Sequence, residues 1–320
     1  MKVLSLTQGL LGLGIPVLCY HQVRPRSGMT PEKFGRQLDL VRSLGFETIS
    51  LTNLHRIILG REQAPGPSVV ITFDDCTLDS WVFALPELVR RKMTATFFAI
   101  TDFLAPGACR VRSDQGGGGD VPPFGDIMRL AMDGQHHWFM NHDEIRSMVH
   151  DFGMEVFPHS AAHQACFTDT KVVGTLADNR HWSHAALCGR EAPPDTAVHP
   201  VGSAYAHAGF GLDWGGRPLA LRDAAERLNF CLGDFSSSKA RLEAVLGRPC
   251  PFLCLPWGQY DDVTLQAGRM AGYTAVLTLD RVGAADPFRI GRRAVKDRKT
   301  LTWLATRLLI DAHGISRREA

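Results

Sequence analysis

The sequence predicts an α/β fold of parallel strand–helix units, on two observations. Short apolar, β-branched runs alternate along the chain with stretches of helical periodicity, the pattern of βα repeats. An acidic pair, Asp74-Asp75, ends the most strongly β-branched of those runs. The carboxyl ends of strands are where folds of this kind carry their sites. The length of 320 residues suffices for one large α/β domain.

The elements follow in order. Val17 to His21 reads as a short buried strand. Residues 31–45 read as an amphipathic helix: Phe34, Leu38, Val41 and Leu44 share a face, Thr30-Pro31 opens it and Gly45 closes it. Thr48 to Leu51 is a second strand, and Val69 to Phe73 a third that runs into Asp74-Asp75. Residues 84–92 are helical and Thr94 to Ile100 is a fourth strand. Residues 105–136, with the glycine run Gly116 to Gly119, read as a loop insertion. A helix at 142–152 precedes a strand from Gly153 to Phe157, which ends at Pro158-His159. Residues 164–220 form a second, longer insertion, and loops of that length in a compact domain are usually functional. Helix returns over 221–246, followed by a strand Phe252 to Leu255, a helix over 262–271, a strand Tyr273 to Leu279 and a closing helix over 300–311. The whole of 1–320 is read as one domain carrying the two insertions.

Composition narrows the function classes. A hydrophobic content of 45% with 21% charged residues is ordinary for a soluble protein. A net charge of +2 argues against a nucleic-acid partner. No stretch reaches the roughly 18 apolar residues of a membrane span. The start, Met1 to Thr7, is a poor match to a signal peptide. Eight cysteines are present without a C-x-x-C pair, most of them inside apolar runs. This is how reduced core cysteines are placed, and it favours a cytoplasmic chain over a periplasmic or secreted one.

Two motifs carry chemistry. Adjacent carboxylates at the end of a buried strand are costly unless neutralised. A divalent metal would do this; a helix cap with a solvated neighbour is the alternative. His159 and His163, at i and i+4, bring two imidazoles to one face of a helix or tight turn; two solvent-facing histidines are the alternative. Taken together, two imidazoles and a carboxylate make a three-ligand metal site with open positions. A second carboxylate beside it can act as a base. That is the layout of a metal-assisted hydrolase.

These residues resemble the polysaccharide deacetylases, the NodB-homology family or carbohydrate esterase family four. Ile71 to Asp75 looks like the family's T-F-D-D motif and His159 to His163 like its H-[ST]-x-x-H motif. Leu255 to Asp261 resembles the P-[YFW]-G-x-Y-[DN] motif of its exopolysaccharide branch. Val17 to His21, Phe34 to Leu51 and the ending Phe288 to Arg293 resemble further family segments in the family's order, so the likeness spans most of residues 15–310. It implies a distorted parallel (β/α) barrel of about seven strands. It implies that Asp75, His159 and His163 ligate a divalent metal, most often Zn2+ and sometimes Co2+, Ni2+ or Mn2+. Asp74 would be the base that takes a proton from the attacking water. Pro256 and Trp257 would offer an oxyanion donor, the Trp257 backbone N–H, and the Trp257 and Tyr260 rings could stack on sugar faces or pack in the core. The implied reaction is removal of N-acetyl or similar N-acyl groups from amino sugars of a polysaccharide or its precursor. A non-catalytic carbohydrate-binding member and a hydrolase of a non-sugar amide are the alternatives.

The chain departs from the pattern in three places. Cys76 stands where the family usually has Gly. Cys254 stands where many members have an Arg that pairs with the catalytic Asp, so the base is expected to lack its partner. Leu277 to Asp280 lacks the Leu-x-His that would supply an acid, leaving His181, His184, His199 and His207 of the insertion as candidates.

Overall fold

A computed structural model describes residues 14–189, 191–210, 220–280 and 286–313. The segment Met1 to Thr7 and residues 211–219 of the second insertion lie outside the described residues.

The first half of the chain lays down neighbouring strands by βα steps. β1 (Val17–Tyr20) leads to α1 (Pro31–Ser43), where Thr30 accepts the Lys33 N–H as N-cap, Pro31 takes the first turn, and Phe34, Leu38 and Val41 are buried. β2 is only Glu47–Thr48. The expected strand to Leu51 stops early because Ser50 caps a helix, α2 (Leu51–Ile58), that the sequence reading missed. β3 (Ser68–Phe73) is buried at all six positions, as a strand covered on both faces must be. A π-helical turn, Ser80–Ala84, enters α3 (Leu85–Arg90), and β4 (Thr96–Ala99) follows.

The first insertion is not all loop: it contains α4 (Phe124–Met132). α5 (His142–His150) opens on an Asn141–Glu144 capping box and feeds β5 (Glu155–Pro158). The second insertion folds into two small antiparallel pairs and a short helix. β6 (Ala165–Phe167) pairs with β9 (Val201–Ser203), β7 (Gly174–Thr175) pairs with β8 (Ala197–Val198), and α6 (Ser183–Cys188) lies between. The long α7 (Ala224–Leu246) starts on an Asp223–Glu226 capping box and stops at left-handed Gly247. β10 (Phe252–Cys254), α8 (Asp262–Met270), β11 (Ala275–Thr278), β12 (Arg289–Gly291), β13 (Arg293–Ala294) and α9 (Leu301–Ala312) complete the chain.

The main sheet runs β13-β1-β3-β4-β5, with β2 extending one end of β3; a second sheet runs β10-β11-β12. Every pairing in both is parallel. The chain passes from β12 to β13 through Arg292 alone, which joins the two sheets on one side. On the other side β5 meets β10 through side chains: Phe157 packs edge-on to Phe252 at 5.0 Å, and His159 Nδ1 lies 2.9 Å from the Cys254 carbonyl. The result is the expected distorted (β/α) barrel, joined by the chain itself at one seam and by packing at the other. A large core lies under β1, β3, β4 and β5, and a smaller one, around Tyr205, Phe235, Leu253 and Val276, lies between α7, α8 and β10–β11.

Both insertions are tied to the barrel beside its carboxyl-end loops. Gln22 grips the first, donating to Pro122 O at 3.0 Å and accepting from Phe124 N at 2.8 Å. Gln259 accepts the Ser203 N–H of the second at 2.9 Å. Among the described residues, no helix is long and apolar enough to cross a membrane.

Candidate metal centre

β3 and β5 end side by side, and the residues just beyond them converge. Asp75 Oδ1 lies 3.6 Å from His159 Nε2 and 4.0 Å from His163 Nε2. All three side chains are buried, and their ligand atoms fall within 4.8 Å of one another. Tetrahedral zinc with bonds near 2.1 Å sets ligand atoms about 3.4 Å apart, so a few tenths of an ångström of closure would fit an ion.

The hydrogen bonding also fits a cation. His159 Nδ1 faces a carbonyl, so it must donate its proton there, which leaves Nε2 as a bare lone pair. Burial lowers the His159 pKa to about 4, so the ring is neutral. A lone pair facing a carboxylate oxygen is repulsive unless a positive charge lies between them. Asp75 Oδ2 and His163 Nδ1 are buried and have no hydrogen-bond partner. Burial, with Asp74 and Asp79 adding repulsion against the pull of His21, pushes the Asp75 carboxyl up to about 7. Such a group resists ionising until a cation arrives.

Asp74 has the opposite electrostatics. Burial works against its charge, but Arg292 overcomes it and holds the carboxyl well below the usual range. The Arg292 guanidinium is fully buried and bidentate, with Nη1 2.6 Å from Asp74 Oδ1 and Nη2 2.9 Å from Oδ2. It also donates to Thr72 Oγ1 at 3.1 Å and to the Thr278 carbonyl at 3.3 Å. This corrects the sequence reading that the base lacks its partner. The cysteine at 254 is short, and the Arg292 head group reaches in beside it, with Nη2 2.9 Å from Cys254 Sγ. The Cys19 and Cys254 thiols donate to opposite oxygens of the same carboxylate at 3.5 and 3.6 Å. The signal was present in the sequence, because Arg292 is the last residue of the F-x-I-x-R ending.

His21, at the end of β1, is a further residue the sequence reading quoted without a role. Its Nε2 lies 3.9 Å from Asp74 Oδ2, and half its side chain, 51%, is open to solvent. Three of the four insertion histidines are engaged with other partners. His184 and His199 are buried against Phe167 and bond backbone carbonyls. His207 meets Gln259. His181 packs near Trp182 and Trp257.

The loops holding these groups are strained. Asp75, Cys76, Ser160, His163 and Trp257 all have positive φ, between 49° and 75°; they are five of the seven such non-glycine residues described. Each left-handed placement costs about 1–3 kcal/mol and persists only where the surroundings over-determine it. Cys76, at φ 49°, occupies the conformation for which glycine is suited. The His159–His163 segment is a tight turn and not a helix. Pro256 is buried, and the Trp257 ring stands edge-on to His163 at 5.4 Å. Trp182 and Phe124, one from each insertion, lie 6.0 and 5.8 Å from the same ring. Tyr260 is engaged elsewhere, its hydroxyl 2.6 Å from both Asp280 and Arg289.

Residues 61–190 match the family model described as polysaccharide deacetylase. That span contains both chemical motifs, and over it the chain is similar to the polysaccharide deacetylase family. Among solved structures, IcaB from Ammonifex degensii is 21% identical, covering 93% of this chain and 97% of its own, with a TM-score of 0.59. A de-N-acetylase from Aggregatibacter actinomycetemcomitans is 16% identical, covering 92% and 99%, with a TM-score of 0.64. The BpsB deacetylase domain from Bordetella bronchiseptica is 20% identical, covering 89% and 96%, with a TM-score of 0.60. At these identities the likeness establishes the fold. No curated protein sequence matches the chain.

Proposed function

We propose that this chain is a metal-dependent deacetylase that hydrolyses N-acetyl or similar N-acyl groups on amino sugars of a polysaccharide or its precursor. The observation that carries the reading is the pairing of two unlike carboxylates. Asp75 faces two neutral imidazoles, while Asp74, next in sequence, is held ionised by a buried arginine. Solved structures of similar fold that are named as deacetylases support the reaction class, and the exopolysaccharide-type motif at Leu255 to Asp261 supports that branch.

Asp75, His159 and His163 would hold the ion, zinc being the best match to one oxygen and two nitrogen ligands. Once bound, it would polarise the scissile carbonyl and acidify the attacking water. Asp74 is the base. The Arg292 pair keeps it ionised and fixes its plane, leaving lone pairs to accept a proton. His21 is placed to give a proton to the leaving amine: it is solvent-connected and adjacent to Asp74, and no neighbour ties up its Nε2 as the carbonyl ties up His159 Nδ1. The Trp257 N–H is the proposed oxyanion donor, and the Phe124, Trp182 and Trp257 rings would wall the sugar cleft. The non-catalytic alternative drew on the altered third motif and on the missing acid; Arg292 supplies the arginine the first lacked, and His21 is the acid proposed for the second.

The test is acetate release from N-acetylglucosamine oligomers. Release should be lost with chelator, restored by zinc, and lost again in Asp74→Asn. Undiminished release by Asp74→Asn would sink the assigned roles.

A further inference from the structure

Two of the three metal-facing side chains sit on one turn, His159 to Gln164, in a conformation the sequence does not favour. Ser160 has φ 65° and His163 φ 50°. One side of the turn is held from the short 3-10 turn after β4: the Thr101 and Asp102 N–H groups donate to Ser160 O at 3.3 Å and Ala161 O at 2.9 Å. Within it, Ser160 Oγ accepts the His163 N–H at 3.0 Å.

The other side is held by a buried charge. Asp234 reaches in from α7, and its Oδ1 accepts the Ala161 N–H at 2.8 Å, with the Ala162 N–H also directed at the carboxylate. Successive N–H groups following a left-handed residue form a concave nest for an anion, and Asp234 fills it. Its second oxygen accepts the Tyr205 hydroxyl at 2.8 Å, and the same hydroxyl oxygen accepts the Gln164 N–H at 3.3 Å. One carboxylate and one phenol thus engage the turn at 161, 162 and 164, on both sides of His163. Tyr205 belongs to the second insertion, so that insertion is part of the turn's support.

We propose that Asp234 and Tyr205 are positioning residues of the metal centre, locking the strained turn so that His159 and His163 face Asp75. The inference rests on reading those three residues as metal ligands. Neither side chain can meet a substrate directly, since Tyr205 is fully buried and Asp234 is 9% exposed. Stability alone would not favour this arrangement, because a buried carboxylate destabilises the fold relative to an apolar residue. Its return is a defined geometry.

The experiment measures zinc affinity of the full chain by competition with a chromophoric chelator, alongside melting temperature with and without zinc. The variants are Tyr205→Phe, which removes a single oxygen, and Asp234→Asn, with Ser238→Ala further along α7 as the control. Asp234→Asn and Tyr205→Phe should each bind zinc about 10–100-fold more weakly, and zinc should raise their melting temperature less than it raises the parent's. Ser238→Ala should keep the parental affinity whatever its melting temperature. Parental zinc affinity in Tyr205→Phe and Asp234→Asn overturns the inference, as does an equal loss in Ser238→Ala. A parent chain that binds no zinc overturns the metal reading itself, a distinguishable result.

Discussion

Replacing Arg292 with Met tests the electrostatic core of the site. The guanidinium side chain is 0% exposed and Asp74 is 4% exposed, so solvent screens little of their attraction. Met fills similar volume without charge and strands a buried carboxylate. Breaking a buried pair in this way costs about 3–5 kcal/mol. For a chain of this length, that lowers the melting temperature by roughly 4–7 °C. Asp74→Asn strands the arginine and should destabilise by a comparable amount. The double variant has no orphan charge and should recover most of the loss, giving a coupling of about 3 kcal/mol in a double-mutant cycle. Urea denaturation of the four proteins measures it. Activity moves in the same logic: without Arg292, burial dominates and the Asp74 pKa rises, so the acid limb of the rate profile should move to higher pH. Additive effects of the two single changes, with an unmoved acid limb, would refute the reasoning.

Other expectations follow from the same geometry. His21→Gln should retain zinc while its turnover falls about 10²–10⁴-fold; parental turnover would remove His21 as the acid. In the metal-free protein, burial lowers the His159 pKa from 6.5 to about 4. Below pH 6.5 the unfolded chain therefore takes up a proton that the folded chain refuses, and stability falls as pH drops from 6.5 to 4, by about 3 kcal/mol from this group. His159→Gln should flatten that part of the urea-midpoint profile, and an unchanged slope would count against the buried neutral ring. Trp182→Ala should raise KM for oligomers more than it lowers kcat if the insertion ring walls the cleft; an unchanged KM would leave Trp182 a packing residue only.

Much of the fold was legible because parallel βα units write themselves as apolar runs and amphipathic periods. Val69 to Phe73 and the helices around Phe34 and Phe235 stand where periodicity places them. Ser50 shows the limit: a two-residue strand and a helix cap are indistinguishable from a longer strand when the intervening residues are apolar. In the site, the Asp74-Asp75 and His159–His163 pairs could be read because each pair is local in sequence and their chemistry is joint. Arg292 was missed as the partner of Asp74 because the two are brought together only when the barrel closes. Asp234 and Tyr205 were invisible for the same reason: each looks ordinary in its own segment, and only the turn at Ser160 to Gln164 gives them a role.

The central claim is that Asp75, His159 and His163 hold one divalent ion beside an ionised Asp74. Metal stoichiometry after equilibrium dialysis against zinc tests it most directly. One equivalent should remain on the parent chain and on Asp74→Asn, and none on Asp75→Asn or His163→Ala. A parent chain that emerges without zinc, or a His163→Ala variant that keeps a full equivalent, would contradict the account.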